Sequence, residues 1–141
     1  MRALVDTSAW IEFFHPRGEP AVQSAVQDAL RSGLVVTVAP VLVELLAGLD
    51  PADQPSTEAI ARLRALERLE LDWTACSTAA EFDRKLAAAG QRAPTVDLIL
   101  AGAAHTSRCE IWHRGDEHLE RLAAIGGPPA RDLSEPRATR R

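Results

Sequence analysis

The sequence predicts an α/β fold in which helices cover both faces of a parallel sheet. Three short apolar runs indicate strands, at residues 2–5, 34–38 and 110–112, and longer segments with helical spacing lie between them. The run at 34–38 is apolar and mostly β-branched, which is typical of a strand buried on both faces. Strands that alternate with helices favour a parallel sheet, because each helix returns the chain to the edge where the next strand begins.

Turn and capping residues set the expected helix boundaries. Gly33 and Gly90 end two helices, and Pro40 suits the start of another. The hydroxyls of Thr7 and Ser8 suit the N-terminus of the first helix. Helices are therefore predicted at residues 7–15, 19–32, 41–49, 57–69, 77–89, 95–106 and 117–125. Two further short strands are expected, one at residues 69–73 and one at a sheet edge near residues 131–133.

Length and composition indicate one domain and restrict its class. The chain has 141 residues, of which 46% are apolar, enough for one core. We expect the domain to span residues 1–133 and residues 134–141 to form a charged, mobile tail. A net charge of −4 argues against a general nucleic-acid coat protein, which would be basic, but not against a nuclease with an acidic site.

Compartment is predicted from cysteine usage and from apolar run lengths. Cys76 and Cys109 are isolated and lack metal-ligand spacing, as expected in a reducing cytoplasm. Asp6 interrupts the N-terminal apolar run too early for a signal peptide. The longest apolar run, residues 34–43, is too short to span a membrane. We therefore expect a soluble, cytoplasmic protein.

Three aspartates lie where a strand ends or a helix begins. Asp6 follows the first strand and Asp116 follows the strand at 110–112. Parallel strands present such residues at one edge of the sheet, where open α/β folds bind ligands. Asp97 lies in the first turn of the helix at 95–106. The alternative for each is local: an N-cap for Asp6 and Asp116, and a favourable helix dipole for Asp97.

Glu44 is the single acid in an otherwise apolar helix, PVLVELLAGL. A buried carboxylate is costly without a partner, so we expect it to face the other acids. The alternative is a narrow solvent-facing stripe on that helix. If all four acids converge, their repulsion raises their pKa values unless a divalent cation is present. Oxygen-only ligation favours Mg²⁺ or Mn²⁺ over zinc.

Three segments together resemble PIN-domain ribonucleases, and more closely the VapC-type toxins of bacterial type II toxin–antitoxin pairs. The opening LVDTSAWIEFF is similar to the family's first motif, PVLVELLAG to its central helix, and TVDLILAGAA to its third motif. The fourth motif departs from the family pattern D-x-D-F. Asp116 matches the first Asp, but His118 and Leu119 stand where the second Asp and the Phe are common.

The resemblance implies a three-layer α/β/α domain with a short parallel sheet. It also implies Mg²⁺- or Mn²⁺-dependent endonucleolytic cleavage of RNA (tRNA or another structured RNA), inhibition by a small VapB-like antitoxin, and a homodimer. The implied catalytic and metal site is Asp6, Glu44, Asp97 and Asp116. We expect Asp6 and Asp97 to bind the metal directly, and Glu44 and Asp116 to act through bound water.

Other residues are assigned to substrate and partner. Thr7 or Ser8 would hydrogen-bond a ligand carboxylate or a phosphate oxygen, and His118 would touch substrate or metal. Basic residues must offset the acids as RNA approaches, and Arg114 is the preferred one among the candidates Arg84, Lys85, Arg92, Arg108, His113 and Arg114. Three tryptophans, Trp10, Trp73 and Trp112, are expected in the core. An antitoxin groove is expected beside Trp10, Ile11, Phe13, Phe14 and the linker at 50–56.

Three alternatives remain at the level of sequence. The first is a catalytically weak PIN-like domain that only binds a protein, which the departure at His118 favours. The second is a phosphohydrolase for small substrates, although Asp6-Thr7-Ser8 lacks the second Asp of the usual D-x-D. The third is cleavage of DNA in place of RNA.

Overall fold

Five parallel strands form the sheet of this computed structural model, which describes residues 1–134. In that range the spatial order of the strands is β3-β2-β1-β4-β5. β1 lies at the centre and its three residues are fully buried. The strands are β1 (Ala3–Val5), β2 (Val35–Thr37), β3 (Glu67–Arg68), β4 (Glu110–His113) and β5 (Ala130–Asp132).

Helices connect the strands and pack on the sheet, which gives the expected three-layer α/β/α architecture. α1 packs on α2, α5 on α6, and α6 on α7. The helices of the described residues are α1 (Thr7–Phe14), α2 (Pro20–Arg31), α3 (Ala39–Ala47), α4 (Gln54–Arg64), α5 (Trp73–Ala88), α6 (Thr95–Thr106) and α7 (Glu117–Ala124).

The strand order creates a crevice at the carboxyl end of β1. The chain leaves β1 towards β2 on one side, whereas β4 pairs with β1 on the other side. Ligands bind at such switch points in open parallel sheets. Val5 pairs with Trp112, and the Asp6 N–H donates to the Trp112 carbonyl at 2.8 Å. The ends of β1 and β4 are therefore neighbours.

Close packing of α5 against α6 holds the helix that carries Asp97. The buried side of α6 consists largely of alanine and Gly102. A Cβ on Gly102 would lie 2.4 Å from the Ala75 carbonyl and 2.9 Å from the Ala79 Cβ of α5. Only a residue without a side chain allows this approach, so the small residues of α6 determine where its N-terminus lies.

The prediction for residues 54–73 was wrong in its boundaries. The helix expected at 57–69 runs from Gln54 to Arg64, because Asp53 caps it by accepting the Ser56 N–H at 2.7 Å. The strand expected at 69–73 is β3, at Glu67–Arg68. Asp72 accepts the Ala75 N–H at 2.9 Å and starts α5 at Trp73, four residues before the expected position. In both cases an aspartate cap determined the start.

Several smaller expectations can be compared with the described chain. Strand β5 lies at the sheet edge as expected, one residue earlier than predicted. Cys109 is buried and Cys76 exposed, and neither forms a disulfide within residues 1–134. No helix in that range is long and apolar enough to cross a membrane. The proposed boundary near residue 133 stays a prediction, because the tail at 135–141 lies outside the described residues.

Candidate metal centre

Three aspartates from separate parts of the chain meet at the carboxyl edge of the sheet. Asp6, Asp97 and Asp116 each offer one carboxylate oxygen, and these three atoms lie within 4.8 Å of one another. Asp6 follows β1, Asp116 follows β4, and Asp97 lies in the first turn of α6. Asp6 and Asp97 are only 5% and 7% exposed, while Asp116 is half-buried. Such a cluster is costly without a proton or a cation between its members.

Asp6 and Asp116 are also helix N-caps. The Oδ2 atom of Asp6 accepts the Ser8 N–H at 3.1 Å and the Ser8 hydroxyl at 2.6 Å. The Oδ1 atom of Asp116 accepts the N–H groups of His118 at 2.9 Å and Leu119 at 3.2 Å. Each carboxylate thus uses one oxygen as the cap, which leaves the other oxygen available to the cluster. The capping interpretation is right for both residues, and it is compatible with a ligand role.

Asp97 is the member of the cluster whose pKa is raised to about 7. Burial raises its pKa, and the charges of Asp116 and Asp6 raise it further, to about 7. Burial likewise raises the pKa of Asp6 above its ordinary value, although its hydrogen bonds from Ser8 oppose the shift. No side-chain cap is found for α6 in the described chain, whose N-cap is Pro94. Asp97 is therefore not an N-cap residue, in contrast to Asp6 and Asp116.

Glu44 lies at the rim of the same cavity and is exposed, so the expectation of a buried carboxylate was wrong. Its Oε1 atom accepts the Thr7 hydroxyl at 2.9 Å, which ties α3 to α1. Helix α3 buries only Val41 and Leu45. Other apolar residues of α3 are also exposed, with Val43 at 68%, so the apolar sequence around Glu44 did not imply burial.

The cavity above the cluster has a volume of about 640 Å³. Thr7, Ser8, Arg114 and His118, the four residues assigned to substrate, all line it. The Arg114 guanidinium is held away from the cluster by ion pairs with Glu19 and, at 3.4 Å, with Glu12. The His118 Nδ1 atom is buried without a hydrogen-bond partner among the described residues.

The remaining basic candidates do not line this cavity in the described chain. Arg84, Lys85, Arg92 and Arg108 are exposed elsewhere. His113 was a wrong candidate for RNA contact, because its side chain is fully buried. It accepts the Asp116 N–H on Nδ1 at 3.0 Å and contacts Glu120 through Nε2 at 2.8 Å. This contact was not predicted from the sequence, in which its only signal is that His113 lies three residues before Asp116.

The tryptophans and the expected antitoxin groove are partly as predicted. Trp10 and Trp112 are buried, but Trp73 is 87% exposed because it begins α5 instead of ending a strand. Phe13 and Phe14 do line a groove, together with Pro55 of the expected linker and residues of α2 and α4. Trp10 lies in the core and stacks on Phe14. Ile11 lines the acidic cavity instead.

This chain is thus an open α/β domain with a carboxylate cluster at the switch point of its parallel sheet, between β1 and β4. Open α/β domains bind their ligands at this point. The sequence model described as PIN domain matches residues 3–125, so this chain belongs to the PIN-domain family. It is 33% identical over 130 residues to Ribonuclease VapC18 of Mycobacterium tuberculosis (strain ATCC 25618 / H37Rv), which covers 89% of this chain and 90% of that protein. The expected family membership is confirmed.

Solved structures share the fold. A DNA-bound VapBC from Salmonella typhimurium has a TM-score of 0.72 and 19% identity, covering 94% of this chain and 98% of its own. FitAcB from Neisseria gonorrhoeae has a TM-score of 0.74 and 16% identity, and the match covers 95% of this chain and 99% of the FitAcB chain. At these identities the likeness concerns the fold alone, and it confirms the α/β/α architecture.

Proposed function

We propose that this chain is a Mg²⁺-dependent endoribonuclease and the toxin of a VapBC-type toxin–antitoxin pair. The observation that supports the activity best is the cluster of Asp6, Asp97 and Asp116, with carboxylate oxygens within 4.8 Å of one another. The 33% identity to Ribonuclease VapC18 supports RNA as the substrate, and we propose tRNA or another structured RNA. The protein would act in the cytoplasm, where RNA is present and Cys76 and Cys109 stay reduced.

The donor set fits a hard divalent cation. Its members are carboxylates without cysteine, and the elevated pKa of Asp97, about 7, is the sign of negative charge that lacks a counterion. Asp6 and Asp97 would hold the ion directly and Glu44 at the rim would act through water, as the sequence indicated. Asp116, which the sequence placed behind a bound water, would also bind the ion directly, because its carboxylate oxygen lies within 4.8 Å of those of Asp6 and Asp97. Mg²⁺ and Mn²⁺ both suit these oxygens. A bound ion of this kind supplies an activated water and neutralises charge on phosphoryl oxygens.

The remaining side chains would orient the site. Ser8 holds the Asp6 carboxylate through two hydrogen bonds, and Thr7 holds Glu44 at the rim. His118 lines the cavity as a half-buried imidazole, which would contact a phosphate oxygen of the substrate. Arg114 would contact the RNA strand at the cavity mouth after release from Glu19 or Glu12.

The partner would be a small antitoxin that occupies the groove between α1, α2 and α4. The groove is bordered by the Phe13 and Phe14 rings, and the Arg62 guanidinium lies 5.8 Å from the centre of the Phe13 ring. An apolar helix with an acidic residue would suit such a lining. The VapBC complexes among the solved structures support a partner of this kind. We also propose a homodimer, which the exposed apolar side chains of Val43 and Leu46 support.

Cleavage of total cellular RNA by the purified chain, freed of antitoxin, tests the activity. We expect discrete fragments with Mg²⁺ and none with EDTA or with Asp97→Asn. Asp83→Asn is the matched control, because Asp83 is an exposed aspartate of α5 outside the cavity. If Asp97→Asn cleaves as well as the parent chain, the assignment fails. If the chain neither cleaves RNA nor binds Mg²⁺, a protein-binding role without catalysis replaces the proposal.

A further inference from the structure

The loop between β4 and α7 is held by side chains from three elements. The Arg114 N–H donates to the Ser8 hydroxyl of α1 at 3.0 Å. The Gly115 N–H faces the Asp132 carboxylate of β5. Burial would raise the pKa of Asp132, but hydrogen bonds from Ser134 and this amide lower it overall. The Asp116 N–H donates to the His113 Nδ1 atom of β4 at 3.0 Å. The amides of Arg114 and Asp116 are thus hydrogen-bonded to side chains before the chain enters α7, and the Gly115 amide between them faces a carboxylate.

His113 is the fully buried member of this set, and its tautomer follows from its contacts. Because Nδ1 accepts the Asp116 N–H, the ring proton of neutral histidine lies on Nε2, which then donates to the Glu120 Oε1 atom at 2.8 Å. Glu120 belongs to α7, the helix that Asp116 caps. The imidazole therefore joins the last residue of β4 to both the N-cap residue and the first turn of α7.

We propose that His113 is a positioning residue for the metal site: its Nδ1 atom fixes the backbone of Asp116, so that the carboxylate stays within reach of Asp6 and Asp97. This inference rests on the proposed role of Asp116 as a metal ligand. The loop needs such support because Gly115 lies in the left-handed region at φ 68°, the part of the connection with the most conformational freedom. An Asp116 N–H without an acceptor is costly, so the backbone would turn until the N–H reached another acceptor. The Asp116 carboxylate would turn with the backbone.

Different replacements of His113 separate this role from simple core packing. The Oδ1 atom of asparagine can take the place of the imidazole Nδ1, so His113→Asn keeps the acceptor for the Asp116 N–H. His113→Leu fills similar space without any acceptor. His113→Gln reaches towards Glu120 but leaves the Asp116 N–H unpaired, and it serves if the leucine variant fails to fold. Leu122→Ala destabilises α7 from its buried side without touching the loop, and is the control for lost stability.

Mn²⁺ affinity, measured by isothermal titration calorimetry on the full chain, is the readout, and it does not depend on cleavage. We expect His113→Leu and His113→Gln to weaken Mn²⁺ binding by about 10- to 100-fold, the usual range for a group that orients a metal ligand. His113→Asn and Leu122→Ala should bind Mn²⁺ as the parent chain does. In an Asp116→Asn background, His113→Leu should cause no further loss, because both changes act on one carboxylate.

Three results would overturn the inference. Parental Mn²⁺ affinity in His113→Leu and His113→Gln would leave His113 with a packing role alone. Equal weakening in Leu122→Ala would assign the effect to the stability of α7. Unchanged Mn²⁺ binding in Asp116→Asn would remove Asp116 from the metal site and the inference with it. If Asp116→Asn weakens binding and the His113 variants do not, the proposed function stands while the inference fails.

Discussion

At the residue scale, the three aspartates differ in what supports them. Asp6 and Asp116 each receive hydrogen bonds from backbone amides as helix caps, while Asp97 has burial and two neighbouring carboxylates. Its pKa of about 7 means that the site holds a proton near neutral pH unless a cation replaces it. Without a cation, the buried and mutually repelling carboxylates therefore destabilise the fold.

Replacing Asp97 with Asn should remove both catalysis and part of this destabilisation. Without metal and above neutral pH, we expect Asp97→Asn to raise the free energy of unfolding by about 2–4 kcal/mol, because a neutral amide replaces an ionised buried carboxylate. Urea unfolding in EDTA measures the change. The same variant should lose Mg²⁺-dependent RNA cleavage. If Asp97→Asn were less stable than the parent chain, the ionised Asp97 carboxylate would not be the group that destabilises the metal-free fold.

Stability should also depend on pH with a defined sign. The pKa of Asp97 rises from 3.8 to about 7 on folding, so between these values the native state binds a proton that the unfolded state has released. The free energy of unfolding must then fall as pH rises from about 4 to 7, and level off above that. The difference in the free energy of unfolding between the parent chain and Asp97→Asn, measured in EDTA across this pH range, isolates the contribution of Asp97 ionisation. Saturating Mg²⁺ should abolish the fall, and a difference that does not change with pH would refute the assignment.

At the scale of elements, the position of α6 depends on how closely it approaches α5. Its buried side is made of alanine and Gly102, and its first turn carries Asp97. The two helices make the most extensive helix–helix contact among the described residues. A change in their separation would therefore move the carboxylate that approaches Asp6 and Asp116.

Gly102→Ala should destabilise the fold by about 1–3 kcal/mol, the usual cost of overpacking a core. The added methyl group would lie 2.4 Å from the Ala75 carbonyl, and backbone cannot move aside as a flexible side chain can. Urea unfolding measures the loss. Gly48→Ala is the control, because a Cβ there meets no atom nearer than 3.7 Å. Equal stability of the two variants would show that α5 and α6 separate without cost.

At the scale of the whole molecule, α1 separates two surfaces. Phe13 and Phe14 line the groove proposed for the antitoxin, while Thr7 and Ile11 line the acidic cavity. A partner that binds the groove would therefore press on the helix whose N-cap is Asp6. The groove and the acidic cavity are therefore connected through a single helix of eight residues.

Filling the groove should prevent antitoxin binding without harming the nuclease. Ser24 is exposed on α2 and lines the groove, whereas Ala21 is exposed on the same helix outside it. We expect Ser24→Trp, made in the inactive Asp97→Asn chain, to lose the co-expressed antitoxin in a pull-down, and Ala21→Trp to retain it. The active forms of both should cleave RNA equally. Retention by Ser24→Trp would place the antitoxin elsewhere.

Much of this fold could be predicted from the sequence because it depends on local patterns. The strands at β1, β2 and β4 come from short apolar runs, and the alternation with helices led to a parallel sheet covered on both faces. The acids at the ends of β1 and β4 were identifiable because parallel strands share one carboxyl edge. Boundaries between 50 and 73 failed because two aspartate caps, Asp53 and Asp72, outweighed the apolar spacing on which the prediction depended.

The sequence by itself determined the architecture and the family, and it identified four candidate acids, because periodicity, caps and motifs are properties of neighbouring residues. Only the tertiary structure decided how those acids differ. It buried Asp97 among carboxylates, left Glu44 exposed at the rim, and placed His113 in the core beneath Asp116. Burial and charge depend on which segments meet in space, and residues more than ninety positions apart, such as Asp6 and Asp97, meet only after the chain has folded.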